Sequence, residues 1–300
     1  MKRNRILIVL GDQLFPLEFL EKTKCRRIFM AEDLGLCTAS KHHKLKILMF
    51  LSAMRAYRDA LVKRGFEVFY HAIGENDFLA QLEQKLKLVT TKENITEVNY
   101  FEIEDHFFAD QLDQFRATSS ATWVQHASPK FLCTRERFFE FSKGKKTLRM
   151  ASFYKMMRQD LDLLMVNNEP AGGRWSFDEE NRKKLPVGLE LPDIPSSGCA
   201  NQSILKYQIE EHFADHPGSI SNLWMPITRD GALRWLDEFL AQKFADFGKY
   251  EDAVHDSNNF LFHSALSTSL NMGLLTPLEV MEKAINFYEH NNVPINSVEG

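Results

Sequence analysis

Residues 5–10 form an unbroken apolar run, Ile6 to Leu10 after Arg5, that stops at Gly11. A strand that is apolar at consecutive positions is buried on both faces, as in a parallel sheet covered by helices. The same kind of segment then recurs, weakly at 27–30 and more clearly at 67–71, 97–101 and 122–125. Between these strands, Leu45, Leu48, Met49, Ser52, Ala56, Leu61 and Val62 recur at helical spacing over 43–64, with Gly65 as the stop. Further helices are expected at 78–88 and 110–117. This alternation predicts an α/β fold with a doubly wound parallel sheet.

The pattern changes near residue 150, beyond which no further strands are expected. A helix is expected at 150–165, where Phe153, Met156, Met157, Leu161 and Leu164 make one stripe. Residues 167–199 then hold Gly172, Gly173, Gly188 and Gly198 with Pro170, Pro186, Pro192 and Pro195, the composition of a long irregular connector. Amphipathic helices follow at 203–213, 229–247, 258–272 and 277–290. Thr228 caps the second of these, and Thr276, Pro277 and Glu279 form a capping box for the last. The expected organisation is a Rossmann-like α/β domain at 1–127, connecting helices and an interdomain linker at 128–202, and an all-α region at 203–300.

Composition narrows the class. Across 300 residues, 44% hydrophobic and 26% charged content is that of a globular chain and excludes disorder, collagen-like repeats and a coiled-coil rod. No apolar run approaches the roughly 20 residues of a membrane span. The basic start is followed by only the short stretch at 6–10, too brief for a signal peptide, so a cytoplasmic location without membrane association is expected. A net charge of -4 excludes a globally basic nucleic-acid binder but leaves room for a local basic stripe. Cys25, Cys37, Cys133 and Cys199 form no CxxC pair, so neither a disulfide framework nor a complete metal set is expected. The 24 phenylalanines fill a large core or line a flat-ligand site.

Several segments bear chemistry, each with a plain structural alternative. Gly11, Asp12 and Gln13 sit where the first strand ends, the edge at which open α/β sheets bind ligands; they lack GxGxxG, and they either contact a small heterocycle or form an ordinary turn. His42, His43 and Lys44 open a helix at that edge and face an anion, a ring or solvent. His212 and His216 share a helix face, but no third ligand accompanies them and Pro217 follows, so no metal site is expected. Residues 130–149 interleave seven cations with Phe131, Phe138, Phe139 and Phe141, which suits a nucleic-acid backbone or a solvated helix whose rings face the core. Residues 172–184 carry two glycines, Trp175 and paired charges, the marks of a loop of fixed conformation or of an aromatic anchor for a linker. Residues 262–277 cluster hydroxyls near a helix start, a phosphate-binding feature or simple caps.

Ser264, Ala265, Leu266, Ser267, Leu270, Gly273, Thr276 and Pro277 resemble the TSxLSPxLxxGxLSP pattern with which photolyases and cryptochromes grip the phosphates of FAD. His263 and Thr268 replace the pattern's Thr and Pro, and Tyr250 lies near the place of the superfamily's phosphate-contacting tyrosine. Together with Gly11 to Leu14, His42 to Lys44, Phe153, Tyr154 and the 172–182 segment, the chain is similar over its whole length to the bacterial photolyase-related branch. That branch comprises the iron–sulfur cryptochromes and photolyases and includes prokaryotic (6-4) photolyases. The resemblance implies an antenna domain, a connector and a helical domain holding FAD. In that family, light-excited reduced flavin passes an electron to a pyrimidine photoproduct flipped out of UV-damaged DNA.

Carried onto this chain, the resemblance implies FAD contacts from Tyr250, His263, Ser264, Ala265, Leu266, Ser267 and Asn271. It implies an antenna chromophore, 6,7-dimethyl-8-ribityllumazine, near Gly11, Asp12, Gln13, Glu32 and His43. Leu36 stands where some members have an acidic residue, which leaves Glu32 and Asp33 as the nearby acids. DNA contacts are implied for Lys143, Lys145, Lys146, Arg149 and Arg182. The family's cluster-binding cysteines and lesion-proximal histidines have no counterparts among these residues. The chain is therefore expected to be a member lacking its C-terminal part, with an incomplete flavin region, a [4Fe-4S] cluster only where that part is present, and no activity as an isolated 300-residue product. Helices at 203–290 are expected to leave apolar faces uncovered in that product, and the full-length protein is expected to be a monomer. The competing readings are a cryptochrome-type blue-light photoreceptor without repair activity and a nucleotide-binding α/β protein without light chemistry.

Overall fold

A computed structural model describes residues 4–75, 78–196 and 202–300. In chain order the elements are β1 (Arg5–Ile8), α1 (Leu17–Lys22), β2 (Arg27–Ala31), α2 (Leu34–Thr38), α3 (Lys44–Lys63), β3 (Glu67–His71), α4 (Leu82–Lys92), β4 (Glu97–Phe101), α5 (His106–Thr118), β5 (Thr122–His126), α6 (Arg135–Ser142) and α7 (Met150–Asp160). There follow β6 (Met165–Val166), β7 (Glu169–Pro170), α8 (Ser203–His212), α9 (Arg229–Gln242), α10 (Phe244–Tyr250), α11 (Ser267–Met272), α12 (Pro277–His290) and α13 (Ile295–Glu299). By contact the chain divides into two compact units, one of Met1–Lys130, Ser196–Ala232 and Ser267–Leu275, the other of Phe131–Pro195, Leu233–Leu266 and Thr276–Gly300.

The first unit is built on a five-stranded sheet in the order β3-β2-β1-β4-β5, with every neighbouring pair parallel. This is the doubly wound arrangement that the strand alternation predicts. On one face Ile6, Ile8, Phe29, Val98 and Tyr100 pack against Leu82 and Leu86 of α4 and Phe108 and Leu112 of α5. The intervening residues point the other way, as the pleat requires. There Phe101 meets Phe15 edge-on at 5.1 Å, and the Tyr57 hydroxyl of α3 donates to the Phe15 carbonyl at 2.6 Å.

Segment Ser267–Leu275 completes this core. The Leu14 amide donates to the Met272 carbonyl at 2.9 Å, and Leu14, Phe15, Met272, Leu274 and Leu275 are all buried. Arg229 donates to the Leu274 carbonyl at 2.9 Å. Gly273, at φ +78°, ends α11 against the Phe15 ring.

The second unit is helical, with one exception to the expectation that strands stop near residue 150. Asn167 and Asn168 take φ of 51° and 66° and turn β6 back onto β7 as a minimal hairpin. Two successive positive φ values are what such a two-residue turn needs, and asparagine tolerates them. The expected helix at 258–272 is also corrected, because only Ser267–Met272 is helical. The Asn258 carboxamide accepts from the Phe260 and Leu261 amides at 2.9 and 2.8 Å, and Leu261 and Ala265 take positive φ. A side chain that satisfies its own neighbours' amides competes with the helix ladder. Likewise the expected helix at 229–247 is two helices, broken at Lys243, whose φ and ψ of -123° and -25° leave the helical region. The expected helix at 150–165 ends at Asp160, followed by Asp162 and Leu164 at positive φ. Among the described residues no helix is long and apolar enough to cross a membrane.

An alanine at 273 would combine a left-handed backbone with a Cβ 2.6 Å from the Phe15 ring. Gly273→Ala is expected to destabilise the first unit by about 2–4 kcal/mol, the sum of an unfavourable φ and overpacking. Denaturant unfolding followed by circular dichroism measures it.

Candidate functional site

The carboxyl ends of the strands open onto a cavity of about 750 Å³ in the first unit. Its walls come from four places. The ends of β1 and β2 supply Leu10 and Ala31, α3 supplies Ile47, Phe50 and Met54, α4 supplies Leu82, and the start of α5 supplies Phe107 and Phe108. A crevice at this edge follows from the topology, since the strand order reverses direction at β1. Its polar lining is Asp12, Asp33 and Asp105 after strand ends, His42 just before α3 and Lys46 in its first turn, Cys37, and Gln81 and Gln111.

Gly11 and Asp12 line this cavity, as a reading of the β1 turn suggests. At Gly11 a Cβ would lie 2.9 Å from the Met54 sulfur, so glycine keeps the wall in place. Asp12 Oδ2 accepts from Lys130 Nζ at 2.6 Å, and the same ammonium lies 3.8 Å from Glu104. One face of Asp12 is therefore committed within the protein.

Gln13, Glu32 and His43 do not form the wall. Gln13 is buried and donates through Nε2 to the Glu102 carbonyl at 3.0 Å. His43 caps α3, its Nδ1 accepting from the Leu45 amide at 3.0 Å, while His42 next to it faces the cavity. Burial, and then the charge of Lys46, hold the His42 imidazole below its ordinary pKa. Glu32 is fully buried and takes four donors: Arg55 Nε and Nη2 at 2.6 and 3.0 Å, the Tyr70 hydroxyl at 2.7 Å and the Ile73 amide at 2.7 Å. Burial first, then the Glu32 charge, push the Tyr70 phenol far above its usual range. In the wall itself Cys37 is a neutral thiol, its pKa pushed up to about 12 by burial and by Asp33.

Asp33, named in the sequence only as an acid near the antenna position, lines the wall, and the wall residues that sequence reading missed include Asp105, Lys46 and the ring pair of Phe107 and Phe108. Asp33 and Asp105 lie within four residues of the ends of β2 and β4, so the rule that selects Gly11 and Asp12 selects them too. Both also cap helices, Asp33 Oδ1 accepting from Leu36 and Asp105 Oδ1 from Phe108.

The residues matched to FAD fall in both units. In the second unit Tyr250 ends α10 with its ring 5.3 Å from Phe262, and the Ser264 carbonyl accepts from the buried Trp235 indole at 2.9 Å. His263 is exposed, Ala265 takes a φ of 51° and Leu266 is buried. In the first unit Ser267 and Asn271 are exposed on α11, and the buried hydroxyls of Thr268 and Ser269 have no hydrogen-bond partner.

Lys143, Lys145, Lys146 and Arg149 are exposed in the turn between α6 and α7 of the second unit. Arg182 lies between Asp178, at 2.8 Å, and Asp252, at 3.7 Å, so its charge is balanced locally. The connector around Trp175 is tied to α7 and α13 of the same unit by hydrogen bonds. Buried Arg158 donates to the carbonyls of Leu163, Leu164 and Trp175, while Glu299 accepts from the Tyr154 hydroxyl and the Phe177 amide. His212 packs on Phe78, and His216 Nδ1 bonds the His42 carbonyl. Among the described residues no group of three or more His, Cys, Asp or Glu is placed to hold a metal ion.

A doubly wound parallel sheet with an apolar crevice at its carboxyl edge, followed by a helical unit, defines an α/β protein of the class whose sheets take ligands at that edge. The deoxyribodipyrimidine photo-lyase-related proteins match residues 7–224, and the chain belongs to that family. It is 31% identical over 304 aligned positions to the (6-4) photolyase of Agrobacterium fabrum, which covers 99% of this chain and 59% of that enzyme. An uncharacterised protein of Acanthamoeba polyphaga mimivirus is 26% identical over 193 residues, 61% of this chain and 96% of its own length. Among solved structures, a bacterial class III photolyase from Agrobacterium tumefaciens shares the fold, with a TM-score of 0.57, 14% identity, and coverage of all of this chain and 56% of that one. The chain thus spans a little over half the length of these two photolyases.

Arg55→Met is expected to destabilise the protein by about 3–5 kcal/mol, because it strands the buried Glu32 carboxylate. Glu32→Gln, which keeps the size and loses the charge, is expected to cost less. Chemical denaturation of both variants measures the difference.

Proposed function

We propose that the chain provides the antenna unit, the connector and the first flavin-binding helices of a light-driven DNA photolyase acting on (6-4) pyrimidine photoproducts. The observation that carries this reading is likeness to the (6-4) photolyase of Agrobacterium fabrum along 99% of the chain. The sheet-edge cavity supports it, since its volume and apolar walls suit a flat chromophore.

FAD fits the chemistry of the residues assigned to it. Thr268 and Ser269 carry buried hydroxyls without partners, and Ser267 and Asn271 present exposed polar groups beside them in sequence. Hydroxyl donors of this kind suit a pyrophosphate. In the second unit the resemblance assigns Tyr250, His263, Ser264, Ala265 and Leu266 to FAD, and there the Trp235 indole fixes the backbone at Ser264. When bound, reduced flavin supplies the light-driven electron for repair. The protein's part is to hold the cofactor, exclude water and present the DNA.

In the cavity, 6,7-dimethyl-8-ribityllumazine is the chromophore we assign, with Gly11 and Asp12 beside it and Gln13, Glu32 and His43 supporting the wall from behind. Lys143, Lys145, Lys146 and Arg149 meet the DNA backbone through charge, and each phosphate contact steepens the salt dependence of binding. Arg182 contributes only by exchanging its two carboxylate partners for phosphate.

The protein purified from its own cells is expected to carry bound flavin and to remove (6-4) lesions from an oligonucleotide under blue light but not in darkness. Unchanged lesion content with normal flavin loading would favour a photoreceptor. Absence of any bound chromophore would favour a light-independent nucleotide-binding protein.

The antenna assignment has its own test. Gly11→Val places side-chain atoms against Met54 and is expected to lower lumazine affinity about tenfold or more, a loss of roughly 1.4 kcal/mol. Chromophore fluorescence in titrations of the variant and the parent measures it.

A further inference from the structure

Residues 131–150 of the second unit divide their aromatic side chains in two. Phe141 is buried, and Phe138 meets Phe153 edge-on at 5.7 Å, so these rings join α6 to α7. Phe131 and Phe139 are instead 66% and 67% exposed. A ring left in water forgoes the free energy of burial, and two such rings in one short basic segment mark a contact surface.

The charges say what kind of contact. Lys143, Lys145, Lys146 and Arg149 place four cations in the seven residues 143–149, all exposed and without an acidic residue among them. Arg135 and Phe139 of α6 and Lys143, which caps its C-terminus, are spaced four apart, so the exposed ring is flanked in sequence, one helical turn either way, by a cation. Lys145 Nζ lies 3.2 Å above the centre of the Phe141 ring, which holds it down on the helix. Glu140, the acid nearest in sequence to the cluster, lies 3.6 Å from Arg137. Lysine is depleted where proteins meet proteins, whereas a lysine cluster interleaved with rings suits a polyanion that also offers flat faces.

We propose that this surface binds unpaired nucleic acid, with the lysines on successive phosphates and Phe139 and Phe131 stacked on bases. In a duplex the base faces are covered by their neighbours, so exposed rings find partners only where bases are unstacked. This rests on the reading that the chain acts on DNA, and it adds a single-strand surface to that reading.

The test is fluorescence anisotropy in the dark, with the intact chain, a labelled oligothymidine of about 16 nucleotides and a duplex of the same length. Tighter binding of the single strand is expected. Phe139→Ala, at an exposed position that leaves the fold intact by circular dichroism, is expected to weaken single-strand binding about fivefold or more, while duplex binding changes less than about twofold. Lys145→Gln with Lys146→Gln is expected to flatten the single-strand salt slope by about 1.4. Parental single-strand affinity in both Phe139→Ala and Phe131→Ala overturns the proposal. So does a parental dimer in sedimentation that Phe139→Ala dissolves, because the rings would then serve a second copy. A parent that binds neither nucleic acid overturns the DNA reading as well.

Discussion

At the end of β2, Glu32 and Asp33 place two buried carboxylates side by side, and the first unit is arranged around neutralising them. Arg55 reaches Glu32 from α3 with two hydrogen bonds, and Lys85 reaches the same point from α4. The Lys85 ammonium, fully buried, donates to the carbonyls of Glu32 and Phe78 and lies 3.7 Å from Asp33. Two negative and two positive charges therefore share a small volume with little access to water. Such a set is tolerable only when nearly every lone pair and proton is satisfied, and removing any one member leaves another stranded. Because the two cations come from different helices, the set fixes both helices to the strand end from which the cavity opens. Gln208 of α8 donates to Ile73 and accepts from Arg55, tying a later segment to the same cluster.

The parts of the fold that follow from periodicity were legible in the sequence. β3 and β4 coincide with their expected spans, α3 and α12 do so within a residue at either end, and each is a place where local pattern and burial agree. What escaped is where one side chain or one backbone angle overrides the pattern. Residues 258–266 have helical apolar spacing, yet Asn258 diverts two amides and Ala265 takes a positive φ. The hairpin at Asn167 and Asn168 is carried by four strand residues, too few for any periodicity. Short helices such as α1, α2 and α13 lack the length for a readable stripe and depend on their surroundings.

The candidate site shows the same division. Position relative to the strand ends singled out Gly11 and Asp12, and applied more widely it would have singled out Asp33, named there only as a nearby acid, and Asp105. It did not distinguish a polar residue that faces the cavity from one that supports it. Glu32 and Asp33 are adjacent in sequence just past β2, but one enters a closed ring of donors and the other borders the cavity and caps α2. His42 and His43 divide in the same way, one on the wall and one at the helix cap. In each pair the decision rests on long-range partners, Tyr70 and Arg55 in the first and His216 and Gly218 in the second.

The turn after β1 connects these observations. Gly11 and Asp12 face the cavity, Gln13 ties the turn to Glu102, and Leu14 and Phe15 pack on Met272 and Gly273. Five consecutive residues thus join the cavity wall, the end of β4 and a segment more than 250 residues later in the chain. A turn held at so many points has little freedom to adjust: a shift at Gly11 large enough to admit a bulkier wall would have to move Phe15, and Phe15 is fixed by Tyr57, Phe101 and the Gly273 backbone. Close-packed interiors transmit such displacements rather than absorb them. The cavity is therefore largely preformed, its shape and its polar groups set by the packing around the turn. In this unit the late segment bearing Ser267, Thr268 and Ser269 is held by the same turn that shapes the cavity, so the two sequence features read as cofactor sites share one rigid support.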